Sequence, residues 1–145
     1  MKVEFKLDEN YDEPKVVIYS KEMTEEIQTL INKLSKQNRE FITGIKDYRV
    51  EIIDKDSIIR IFSLDGNVYA LTDTKKYTLK YKLYELEELL DNPFARISNS
   101  EIVNLRKVKR FDLTLTGTIQ VEFENGSHTR VSRRYVNKIK NILDI

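Results

Sequence analysis

Phe94-Ala95-Arg96-Ile97-Ser98-Asn99-Ser100-Glu101-Ile102-Val103-Asn104 joins a cluster of helix-capping residues to an arginine and a run of branched apolar side chains. Ser98, Asn99 and Ser100 all favour the position just before a helix, so a short helix is expected to begin near Glu101. That leaves Asn99 on an exposed loop beside Arg96. An asparagine can bond adenine N6 and N7 together in the major groove, and a serine hydroxyl donates to phosphates. On these residues alone, an ordinary capping cluster is the favoured reading.

Toward the C-terminus stands a second unusual stretch, Val131-Ser132-Arg133-Arg134-Tyr135. Ser132 is expected to cap a terminal helix whose Val136, Ile139 and Leu143 face inward. Arg133 and Arg134 then fall in the first helical turn, where the helix dipole is positive and each cation costs about 0.3–1 kcal/mol. Phosphate at the helix start, or guanine O6 and N7, would offset that cost. Pairing with Glu122 or Glu124 on the preceding strand would do so as well.

Both stretches lie in the basic part of a nearly neutral chain. The 145 residues carry 25 Lys+Arg and 24 Asp+Glu, for a formal charge of +1. Residues 1–46 are net −1 and residues 47–93 net −3, whereas residues 94–145 hold ten basic side chains against five acidic ones, net +5. Such asymmetry is the footprint expected of a phosphate-backbone binder. Charge alone does not separate it from a basic face paired with acidic neighbours.

The rest of the chain reads as mainly β with short helices. Residues 3–7 and 16–19 are β-like runs around the turn-forming stretch 8–14, and Ser20 is expected to cap a helix reaching about Lys36. Met23, Ile27, Leu30, Ile31 and Leu34 share one face of that helix. The β pattern resumes at residues 48–53 and 57–64. Asp65-Gly66 turns into residues 67–72, and residues 73–76 turn into a strand at 77–81. A short helix carries Leu83, Leu86, Leu89 and Leu90 up to Asn92-Pro93. Residues 108–115 and 118–124 form a hairpin around Thr116-Gly117, and Asn125-Gly126 leads into residues 127–131. This divides the chain into a β-β-α extension, residues 1–43, and a β-sheet body, residues 44–145.

No P-loop, G-x-G-x-x-G, G-x-S-x-G or H-E-x-x-H motif is present. The single His128 follows an Asn-Gly turn and reads as a half-exposed strand residue. The absence of cysteine excludes disulfides, thiolate zinc and a cysteine nucleophile, and points to the cytosol. No run of about 18 apolar residues exists to span a membrane. Residues 1–6 alternate charged and apolar side chains without an apolar h-region, so no signal peptide is expected, and neither is catalysis or a cofactor.

The first stretch, Phe94-x-Arg96-Ile97-x-x-Ser100-x-Ile102-Val103-Asn104, resembles the F-x-R-x-H-x-S-x-x-V-N pattern of LytTR-type DNA-binding domains of bacterial transcription regulators. Asn125-Gly126 followed by Val131-Ser132-Arg133-Arg134-Tyr135 resembles the same family's N-G and V-S-R-R-Y ending. The likeness covers roughly residues 44–145. It implies a compact β-sheet body, not a helix-turn-helix, with turns presented to successive major grooves of double-stranded DNA. By position, the DNA-facing residues would be Asn67 and Tyr69 on the hairpin after Phe62, Arg96, Ser98 and Asn99 on the central loop, and Arg133 and Arg134. Ser98 stands where the family pattern has histidine.

The extension is far too short for a phosphoacceptor receiver domain. The chain therefore resembles the free-standing members, whose extension dimerises or meets another regulator, in some cases a small membrane protein. The expectation is a cytoplasmic bacterial transcription regulator acting as a homodimer on repeated sites, itself not inserted in the membrane. The alternative is a protein-interaction adaptor that uses the N-terminal helix stripe without binding DNA. An RNA binder stacking bases on Tyr69, Tyr77, Tyr81 or Phe111 is a further reading, but no RNP-type motif accompanies those aromatics.

Overall fold

Ile102 and Val103 are adjacent and both fully buried, which a single-faced helix does not allow but a strand covered on both sides requires. The computed structural model describes residues 1–35 and 41–145. In it the segment expected to start a helix at Glu101 is instead strand β7, Glu101–Asn104. It is preceded by β6, Phe94–Ser98. Pairing of β7 with strands on both sides overrides the capping preference of Ser98, Asn99 and Ser100.

The chain forms two compact units, Met1–Gln37 and Asn38–Ile145. In the second, β1 (Phe41–Lys46) and β2 (Arg49–Asp54) form a hairpin. They are followed by β3 (Arg60–Leu64), β4 (Asn67–Leu71), β5 (Lys76–Leu79) and helix α1 (Leu83–Leu89). After β6 and β7 come β8 (Val108–Asp112), β9 (Ile119–Phe123), β10 (His128–Val131) and helix α2 (Val136–Leu143). The first seven strands form one antiparallel sheet in the order β2-β1-β5-β4-β3-β7-β6, and the last three form a second, β10-β9-β8. The fold is mainly β with short helices. The boundary expected after residue 43 falls inside β1.

Two cores lie on opposite faces of the large sheet. One gathers Ile42, Ile53, Ile61, Ala70, Tyr77 and Ile102 beneath Leu83 and Leu86 of α1. The other packs Ala95, Ile97 and Val103 against Val121, Phe123 and Val131 of the small sheet and Ile139 of α2. Asn104 is buried between polar partners: its Nδ2 donates to the Ile58 carbonyl at 2.9 Å, and its Oδ1 accepts the Arg106 N–H at 3.1 Å.

In the first unit a helix, Glu25–Ser35, begins five residues after the expected cap. Thr24 Oγ1 accepts the Ile27 N–H at 3.2 Å and caps it, while the Ser20 hydroxyl donates to the Glu22 carbonyl. The expected end at Lys36 lies outside the described residues. Ile27 is buried, whereas Met23 and Leu34 are exposed. The strands expected at residues 3–7 and 16–19 do not form, and Val3, Phe5, Leu7, Val16 and Tyr19 are exposed. Alternation makes a strand only where a sheet edge pairs with it, and no described strand does. No helix among the described residues is long and apolar enough to cross a membrane.

Candidate nucleic-acid interface

Three turns meet at one end of the large sheet. Asp65 and Gly66 join β3 to β4, both at positive φ (51° and 80°), the left-handed pair that a two-residue hairpin turn demands. Asn99 and Ser100 join β6 to β7, with the Ser100 N–H donating to Ser98 Oγ at 3.1 Å. The Ser63 N–H donates to the Ser100 carbonyl at 2.9 Å and ties the first turn to the second. The third is the 3-10 turn Arg133–Tyr135. It joins them through the Ser132 N–H, which donates to the Ile97 carbonyl at 2.9 Å, and through the Tyr135 hydroxyl, which donates to Asn99 Oδ1 at 3.3 Å. The three regions expected from sequence are thus contiguous.

The residues within them differ in how free they are. Asn67 opens β4 opposite Leu64 and is exposed. Tyr69 lies opposite Phe62, with ring centroids 5.6 Å apart. The Lys76 ammonium sits 4.3 Å from the Tyr69 ring centre and 5.9 Å from that of Phe62, and the Arg60 guanidinium lies 5.1 Å from Phe62 on the same row. Ser98 Oγ serves its own turn, 3.3 Å from Ser100 Oγ. Asn99 is exposed.

Arg96 is the most engaged. Its Nε donates to the Ser98 carbonyl at 2.7 Å, Nη2 to the Asn99 carbonyl at 2.6 Å and Nη1 to Glu87 Oε2 at 2.9 Å, with the side chain only 12% exposed. Arg133 and Arg134 are exposed, and among the described residues neither forms an ion pair with Glu122 or Glu124. Glu122 instead pairs with Arg110 at 2.9 Å.

One local expectation is corrected here. Ser132 makes no side-chain capping bond, and the two arginines lie in the 3-10 turn ahead of α2 instead of in its first α-turn. That turn is closed by the Tyr135 N–H, which donates to the Ser132 carbonyl at 2.9 Å.

Sequence reasoning did not single out Lys76, Tyr135, Glu87, Arg60 or Glu101. The β4–β5 register could have flagged Lys76, since the tight turn at residues 72–75 sets it opposite Leu71. The others act across elements far apart in the chain. Glu101 joins the two sheets: its Oε2 lies 3.3 Å from Arg60 Nη1, and its Oε1 accepts the Thr129 hydroxyl at 2.8 Å. Burial pushes its carboxyl above the ordinary glutamate range, and Arg60 and Thr129 pull partly against that shift.

A β-dominated fold of this kind, with turns gathered at one sheet end and, among the described residues, no two α-helices in succession, defines a class of compact β-sheet domains distinct from the helix-turn-helix. The chain belongs to the LytTr DNA-binding domain family, whose model matches residues 48–144. It is 33% identical over 146 residues to an uncharacterized HTH-type transcriptional regulator of Staphylococcus aureus strain NCTC 8325, covering 100% of this chain and 99% of that one. It has the same 33% identity and coverage with the corresponding protein of strain COL. A solved LytTr DNA-binding domain from Bacillus cereus shares the fold, with a TM-score of 0.71 over 74% of this chain and 99% of that one, at 23% identity. Among the described residues no helix-turn-helix is present. The family is a DNA-binding domain, not a class of enzymes.

Proposed function

We propose that the chain is a bacterial transcription regulator that binds specific double-stranded DNA with the three turns at this end of the sheet, each turn facing a groove. The observation that carries this reading is the bond from the Tyr135 hydroxyl to the exposed Asn99 amide, which ties that turn to the one bearing Arg133 and Arg134, both without carboxylate partners among the described residues, in a LytTr domain. Tyr135 occupies one lone pair of Asn99 Oδ1. The second lone pair and the Nδ2 hydrogens remain to meet adenine N6 and N7. Arg133 and Arg134 are suited to guanine edges or phosphates, and Ser98, Asn67 and Tyr69 flank them on the neighbouring turns.

In the same reading the regulator works in the cytoplasm as a homodimer on repeated sites. Exposed apolar side chains of the first unit, among them Phe5 and Tyr19, offer surface to a second copy or to a regulatory protein, including one held in a membrane. Selection of bound sites from random duplex DNA tests the reading. A common element repeated about 10–10.5 bp apart is expected, as is affinity that falls steeply with salt. Failure to enrich any sequence, with a flat salt response, would sink it. Light scattering on and off DNA checks the dimer, which a strict monomer in both would exclude.

A further inference from the structure

We infer that Arg96 is a positioning residue that latches the Ser98–Ser100 turn in its reading conformation, and that Glu87 on α1 holds the latch closed. The inference rests on the DNA-binding reading above, but the latch itself exists in the free protein.

The β6–β7 ladder shifts register between Arg96 and Ser98, a bulge that takes backbone groups out of regular pairing just before the turn. The guanidinium compensates: two of its nitrogens hold the carbonyls of Ser98 and Asn99, at 2.7 and 2.6 Å. The third is held by Glu87 at 2.9 Å. Glu87 also lies 3.6 Å from Lys138 of α2, so one carboxylate links two helices to the strand that carries the turn. With all three nitrogens engaged and the side chain 12% exposed, Arg96 has little left to offer a phosphate. It fixes the backbone on which Asn99 is mounted.

This reverses an electrostatic expectation. Removing a carboxylate from a DNA-binding face should tighten binding if charge alone mattered. Here Glu87→Ala should weaken it, because the guanidinium loses its anchor and the turn loosens. Arg96→Lys keeps the charge but cannot reach three divergent acceptors, so it should lower affinity for the selected site by about ten-fold while leaving random-duplex affinity and the salt slope unchanged. The double variant should be no worse than Arg96→Lys, since both break one device.

The experiment measures duplex affinity against salt for both variants, together with amide exchange at Asn99 and Ser100 in DNA-free protein. Faster exchange in Glu87→Ala with weaker specific binding supports the latch. Wild-type affinity of Arg96→Lys, a salt slope reduced by about one in Arg96→Ala, or tighter binding by Glu87→Ala would each overturn it. Unchanged exchange at the turn in Glu87→Ala also overturns it, with or without DNA binding. Faster exchange in a chain that binds no DNA would refute the DNA reading and leave the latch standing. If Arg96→Lys fails to fold, Glu87→Ala, on an exposed helix position, decides the matter.

Discussion

Arg96 and Arg134 sit on neighbouring turns of one surface, and their guanidinium groups have opposite surroundings. Around Arg96 there are acceptors: two carbonyls released by a strand bulge and a carboxylate brought by α1. Arg134 is exposed, Arg133 is exposed with its guanidinium end beside Gly117, and Glu122 on β9 is taken by Arg110. Residue type and local charge do not distinguish these positions. What distinguishes them is whether the fold supplies acceptors. An arginine surrounded by acceptors becomes scaffold, and an exposed one without a carboxylate is hydrated and open to acceptors on a partner. Arg60 is intermediate, with one carboxylate partner, an aromatic ring beneath it and a buried Nε without a partner among the described residues.

The most drastic way to break the comparison is to remove what both turns share. Ile97 has no exposed surface, packs in the second core, and lends its carbonyl to the Ser132 N–H. Ile97→Ala should lower unfolding free energy by about 2–5 kcal/mol, read by urea denaturation, and should weaken specific binding through both turns at once. Next in size, Arg134→Ala should cost about 1–3 kcal/mol of affinity for the selected site if it reads guanine, with random duplex nearly unaffected. Equal loss on both DNAs would make it a phosphate contact instead.

The contrast between these arginines was only half legible in the sequence. Motif spacing located both turns, and the turn dipeptides Asp65-Gly66 and Asn125-Gly126 placed the hairpins. Strand β1 escaped because Gly44 interrupts its apolar run. The glycine is there for space, since a Cβ would stand 2.5 Å from Ile53 Cδ1 and 2.7 Å from Tyr77 Cβ. Strand β6 escaped because Ser98-Asn99-Ser100 reads locally as a helix cap, and only pairing with β7 makes it a hairpin turn. The N-terminal runs misled in the opposite direction, showing alternation with no edge to join. The role of Arg96 had no local signal at all, because two of its three acceptors are backbone carbonyls and the third comes from another element.

A smaller change sharpens the comparison at the bond between the turns. Tyr135→Phe removes only the hydroxyl that donates to Asn99 Oδ1. An exposed hydrogen bond of this kind is worth about 0.5–1.5 kcal/mol, so overall affinity should fall about two- to ten-fold. The more telling readout is discrimination at the base pair that the proposed contacts assign to Asn99. Relaxed preference there, with the Arg134-dependent position unchanged, would show that the Tyr135 hydroxyl orients the amide. Uniform loss at all positions would show that the hydroxyl matters only for stability.

The smallest effect tests Arg60, the intermediate case, through its partner. The Glu101 side chain is 13% exposed, and burial raises its carboxyl above the ordinary value of 4.5 despite Arg60 and Thr129. A carboxyl that holds its proton more tightly folded than unfolded favours the folded state at low pH. That contribution is fully present below the unfolded pKa and is lost as pH rises through the folded one. Wild-type stability should therefore decline across the window just above 4.5, measured by urea unfolding at a series of pH values. Glu101→Gln retains a carbonyl for Arg60 and Thr129 but has no proton to release, so its curve should lack that decline. Parallel curves for the two proteins would mean that Arg60 already compensates the buried charge as completely as the acceptors around Arg96 satisfy theirs.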